Sequence, residues 1–227
     1  MSTNFIKLAT LTPLENQSIH SPSFIISLQR IANTLASTPG ALKCQFRKST
    51  ASPQLLLLAS WADEAAHDYC DIQGIAPKIL KEMFARVKPN VVNFANLDVC
   101  LIDFEEKFLV MERFHVKDGR KQEFGEEVKR MGVVGEWYVV EDVPMVPQVM
   151  PTDERELEVM EWRGVVSEKR MKEKVPDIWV GVGEEGIGEE SGLRERTKDL
   201  VNKYESGRWE KYLEGRKDAP IGGIDLS

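Results

Sequence analysis

Apolar and polar positions along the chain fall into two successive series with the same order of elements. In the first, Phe5-Ile6-Lys7-Leu8-Ala9 opens a strand over about 4–12. Phe24, Leu28, Ile31 and Leu35 recur at i, i+4, i+7 and i+11, one face of a helix over about 22–36. Pro39-Gly40 stops that helix. A strand over about 42–49, a turn at Ser52-Pro53 and an apolar strand over about 54–61 follow. Asp63 opens a helix that breaks at Gly74 and continues to about Arg86. Pro89-Asn90 reads as a turn and Val91–Val99 as a fourth strand. The order is β-α-β-β-α-β, the ferredoxin-like arrangement.

The second series begins about 100 residues later. Phe108-Leu109-Val110-Met111-Glu112 opens a strand over 108–116, and Asp118-Gly119 turns the chain. Phe124, Val128 and Met131 share one face of a helix over 120–131. A strand over 134–141, a proline-marked loop over 142–154 and a strand over 156–163 come next. A short helix near 167–174 and a short strand at Ile178–Val182 precede a Gly/Glu-rich stretch over 183–192. Leu193, Leu200, Val201, Tyr204, Trp209, Tyr212 and Leu213 predict a last amphipathic helix over about 192–214. The predicted fold class is therefore α+β. It has two ferredoxin-like repeats, 1–104 and 105–215, forming a pseudo-dimeric α+β barrel with a C-terminal helical extension. Residues 216–227 read as a disordered tail. Pairing of the halves within the chain makes a monomer sufficient, whereas pairing with a second chain makes a homodimer.

Charge sharpens this division. The formal net charge of the 227 residues is -7. Residues 1–107 hold 10 basic and 10 acidic side chains, so the second half carries the whole excess. An acidic chain without a basic patch argues against binding a phosphate backbone, so no nucleic-acid partner is expected. The longest apolar run, Leu55 to Ala59, is too short to span a bilayer, so no membrane partner is expected. No basic stretch leads into an apolar run at the N-terminus. Cys44, Cys70 and Cys100 are an odd, unclustered set that fits a reducing compartment. The expected location is cytoplasmic.

The string Leu55-Leu56-Leu57-Leu58-Ala59-Ser60-Trp61-Ala62-Asp63-Glu64-Ala65-Ala66-His67 resembles the third-strand-to-second-helix region of the dimeric α+β barrel superfamily. The likeness is to its antibiotic-biosynthesis-monooxygenase type, where an apolar strand ends in Trp and an acidic residue, small residues and often a His begin the helix. Glu161-Trp162 echoes the same strand end. The resemblance covers most of 4–99 and, more weakly, 107–170. It implies a cofactor-free monooxygenase or related enzyme acting on an aromatic or polyketide-like small molecule. Other members of the superfamily degrade haem, cyclise polyketides or bind ligands without known chemistry. The alternative reading is a non-catalytic barrel that binds a small hydrophobic ligand or a partner.

The resemblance maps Trp61 onto a cavity-lining ring, while the residue alone is equally a core aromatic. His67, one and a half turns into the helix, suits a general base for a phenol near neutral pH. Read without the family, it is a surface histidine near a helix start. The oxygenases of the family carry a Tyr near this place, and Tyr69 is the nearby hydroxyl here. A haem-degrading relative would place a His ligand about ten residues past the Trp, where this chain has Asp71. His67 and Cys70 form an H-x-x-C pair, too few ligands for zinc. Arg113 and His115 share one side of their strand by its period of two, with Glu112 and Phe114 on the other. They either line a polar pocket as substrate-binding residues or make salt bridges at the surface. Gly181-Val182-Gly183-Glu184-Glu185-Gly186 matches G-x-G-x-x-G but is not a dinucleotide fingerprint. Its two Glu would repel a pyrophosphate, and no βαβ unit surrounds it. No cofactor or metal is expected.

Overall fold

A computed structural model describes residues 4–97, 104–130, 136–143, 178–183 and 192–217. The first half runs β1 (Asn4–Pro13), α1 (Pro22–Ala36), β2 (Ala41–Ser49), β3 (Leu55–Trp61), α2 (Glu64–Ile72), α3 (Ile75–Phe84) and β4 (Val87–Leu97). The second runs β5 (Phe108–Val116), α4 (Lys121–Arg130), β6 (Glu136–Val143), β7 (Ile178–Gly183), α5 (Leu193–Thr197) and β8 (Val201–Glu214). The strands close into an antiparallel barrel in the order β1-β3-β2-β8-β5-β7-β6-β4. Within the halves the neighbours run β4-β1-β3-β2 and β6-β7-β5-β8. Two seams join the halves, β2 with β8 and β4 with β6.

Local chemistry explains the first half. The Ser21 side chain caps α1 by accepting from the Phe24 N–H, and Pro22 opens the helix, where a missing N–H costs nothing. The periodic Phe24, Leu28, Ile31 and Leu35 are buried against Phe5, Ala9, Phe46, Leu57 and Trp61 of the sheet. Every residue of β3 is buried, which accounts for its unbroken apolar run. By strand alternation, Ile6, Leu8, Leu56 and Leu58 face the opposite way, into the barrel. In the second half Phe114 and Val116 pack under Phe124 and Val128 of α4 and Leu193 of α5.

Arg47, fully buried on the barrel side, donates to the carbonyls of Phe104 and Glu106. Gln45 donates to the same Phe104 carbonyl. The segment joining the halves is thereby fastened to β2. On the outer rim of that seam, Lys43 and Lys211 alternate with Glu105 and Glu214 in a ring of four ion pairs of 2.8–3.4 Å. Two hydrogen-bonding lysines, Lys211 foremost, pull the Glu105 carboxyl down to about 2. Past β8 the chain lies on α1. Gly215 N–H donates to Cys44 O, and the Gln29 amide donates to Glu214 O. A Cβ at Gly215 would stand 2.1 Å from the Ala32 carbonyl oxygen, so only glycine lets the strand end approach the helix this closely.

Three expectations are corrected. The helix predicted over 192–214 is a single turn, α5, followed by the long strand β8, so there is no helical extension at this point. Gly207 disfavours a helix interior, by about 1 kcal/mol against Ala, and two strand edges, β2 and β5, stand ready to pair. Pro89-Asn90 is not a turn but part of β4, which starts at Val87. Pro89 stands next to a register shift against β1, where a missing ladder donor is tolerated. The strand beside β5 in the place that β3 holds beside β1 is β7, not 156–163. The segments 156–163 and 167–174, with Trp162, lie outside the described residues, as do most of the proline-marked loop, most of the Gly/Glu stretch and 218–227. Of the tail, Arg216 N–H donates to Asn33 Oδ1 and Lys217 O accepts from Ser37.

Candidate functional site

Trp61 ends β3, and α2 begins three residues later. The Asp63 carboxylate accepts the Ala66 N–H at 2.8 Å, which caps the helix. The Gly40 carbonyl accepts the Ala62 N–H, and a Cβ on Gly40 (φ +77°) would come within 2.5 Å of Ala66 Cβ. These contacts press the first turn of α2 against the turn before β2. His67 is thereby folded back over the strand end.

Its imidazole sits in a cage of rings. The Trp61 ring is 4.8 Å away, edge-on at 90°, and the Phe5 ring is 4.9 Å away, tilted by 50°. Phe5 and Trp61 are cross-strand partners, so both rings rise from the same sheet face. Trp61 is only 2% exposed, and its Nε1–H points to Thr38 Oγ1 at 3.4 Å. The His67 side chain is 14% exposed, with Nδ1 3.6 Å from the Asp68 carboxylate. The imidazole is thus held between two buried rings with a carboxylate beside it.

The other sequence candidates are not at this place. Tyr69 is two residues past His67 on the helix, which turns it to another side, and it is 43% exposed. Cys70 is a buried thiol of the core. Arg113 and His115 lie together on β5 in the second half, on one strand side, and both meet Glu205 of β8. Burial raises the Glu205 carboxyl, but hydrogen bonds from Lys203 and His115 outweigh it and leave it lowered. On the opposite side of β5, buried Glu112 accepts from the Tyr204 hydroxyl. Among the described residues, no three of His, Cys, Asp and Glu gather as metal ligands. A surface groove of about 770 Å³ runs between α1 and the end of β8, past Gln29, Asn33, Lys211 and Glu214, apart from His67.

Sequence reading missed Phe5 and Glu205. Phe5 was read as a strand residue, and only the β1–β3 register brings it to His67. Glu205 fell inside a predicted helix, and its pairing with Arg113 needs β8 to be a strand.

Comparison with known proteins places this geometry on a shared scaffold. No family model and no curated protein matches the sequence. Solved structures do match in shape. A candidate monooxygenase from Fusobacterium nucleatum superposes with a TM-score of 0.55 at 11% identity, over 95% of each chain. One from Lactobacillus acidophilus gives 0.55 at 12% identity, over 95% of this chain and 97% of that one. The chain has the α+β fold of these proteins. An anthrone oxidase-like protein gives 0.54 at 8% identity, over 96% of this chain and 95% of its own. Likeness at this identity is one of fold and leaves the chemistry to the site. No helix among the described residues is long and apolar enough to cross a membrane.

Proposed function

We propose that the chain is a tandem of two ferredoxin-like repeats of the antibiotic-biosynthesis-monooxygenase type, working as a cofactor-free oxygenase on an aromatic, polyketide-like small molecule. The observation that carries this reading is the cage of Phe5, Trp61 and His67 on a fold shared with candidate monooxygenases. The repeat is supported by the matching neighbour order of the two halves, each with the first and third strands inside and the second and fourth outside. In this mechanism Trp61 and Phe5 offer apolar ring surface to the substrate. His67, with Nδ1 turned toward Asp68, accepts the substrate's proton through Nε2. The deprotonated ring then reacts with oxygen directly. For an anthrone, the ring CH2 and one O2 give the quinone C=O and one H2O.

Trp61 is packed as completely as a core residue, which favours a second reading, a barrel that binds an aromatic ligand without turning it over. Oxygen uptake separates the two. With an anthrone or a hydroquinone, the purified protein is expected to consume oxygen, and His67→Ala to slow uptake by at least about tenfold. Substrate binding without uptake, or uptake indifferent to His67→Ala, selects the second reading.

A further inference from the structure

The second half holds a cluster that the oxygenase reading does not use. Arg113 and His115 point to the side of β5 opposite Phe114 and Val116, away from α4. In register across β8 stand Glu205, opposite Arg113, and Lys203, opposite His115. Glu205 Oε2 lies 3.1 Å from His115 Nε2 and 3.9 Å from Arg113 Nη1, and Oε1 lies 2.6 Å from Lys203 Nζ. One carboxylate thus has basic groups at both of its oxygens, in the half of the chain that is otherwise acidic.

The partners are held with unequal firmness. Arg113 and His115 belong to β5, which is paired on both sides, with β7 and β8. The Arg113 side chain is 7% exposed. Glu205 stands on the stretch of β8 before Arg208, which among the described residues pairs with β5 alone, and its side chain is 39% exposed. Arg113 and His115 are therefore anchored on an inner strand, whereas the anion and Lys203 are carried by a one-sided, more exposed one. We infer that Arg113, His115 and Lys203 form a cradle for a small carboxylate ligand, and that Glu205 is its resident occupant, displaced when the ligand binds. The ligand class follows from what already fits: a planar carboxylate that takes a charge-assisted bond at each oxygen. The inference stands independently of the oxygenase reading.

The test uses the full chain with benzoate as probe and inorganic phosphate as control, followed by calorimetric titration. Wild type is expected to bind benzoate weakly and saturably. Glu205→Ala empties the cradle and is expected to bind it at least about tenfold more tightly. Glu205→Gln keeps the shape, removes the charge and is expected to shift in the same direction, so it serves if the alanine variant fails to fold. Adding Arg113→Met to either variant is expected to abolish the gain. No tighter binding in a folded Glu205 variant, a gain that survives Arg113→Met, or phosphate binding equal to benzoate would each overturn the inference.

Discussion

Two histidines, His67 in the first turn of α2 and His115 near the end of β5, stand one in each half, and their surroundings are opposite in kind. His67 touches rings, with one carboxylate at its edge. His115 touches a carboxylate that two further basic groups also hold. The first setting packs the imidazole against two buried rings. The second makes imidazole part of a charge network that an anionic group could enter. The two halves of the barrel therefore hold a histidine in an aromatic setting and a histidine in an ionic one. The difference teaches that the fold alone does not choose between them.

Removing the cage should produce the largest effect. Trp61→Ala takes a buried ring from between the sheet, His67 and Thr38, and should cost about 3–5 kcal/mol in urea unfolding. Tyr69→Ala, at an exposed position eight residues later, should stay within about 0.5 kcal/mol. Equal losses would mean that the cage is no better packed than the surface.

Acid should distinguish the ionic regions from the cage. Glu205 and Glu105 have folded pKa values below their ordinary 4.5, Glu105 at about 2. Such groups bind fewer protons folded than unfolded, so their stabilisation is complete above the ordinary value and is lost as the pH falls through the folded one. Stability should therefore decline between about pH 4.5 and pH 2, and Glu105→Gln together with Glu205→Gln should flatten that decline. A slope untouched by the paired glutamine variant would remove these carboxylates from the account.

The smallest effect belongs to the seam. Lys43→Met opens the ring with Glu105, Lys211 and Glu214 and should lower the thermal midpoint slightly at low salt. In 1 M salt, where the screening length is about 3 Å, the difference from wild type should vanish. A loss that persists there would indicate that the Lys43 stem matters by packing.

How far the sequence reached can be judged on particular residues. The spacing of Phe24, Leu28, Ile31 and Leu35 announced α1 because one solvent-facing helix buries one stripe. The Trp61-to-His67 segment was legible because strand end, cap and helix start are consecutive in the chain. β8 was not, since Val201, Tyr204, Trp209, Tyr212 and Leu213 fit a helical stripe as readily as a bulged strand. What decides is the presence of β2 and β5 on either side, which no local window contains. The Arg113–Glu205 pair was lost with it, and Phe5 beside His67 is likewise a product of strand pairing rather than of chain order.

The central claim is that the caged histidine, and not the ion-paired one, performs the chemistry. It is tested most directly by oxygen uptake with an anthrone in His67→Ala and His115→Ala side by side. The account predicts at least about a tenfold loss in the first and a rate near wild type in the second. Full uptake in His67→Ala, or an equal loss in both, would contradict it.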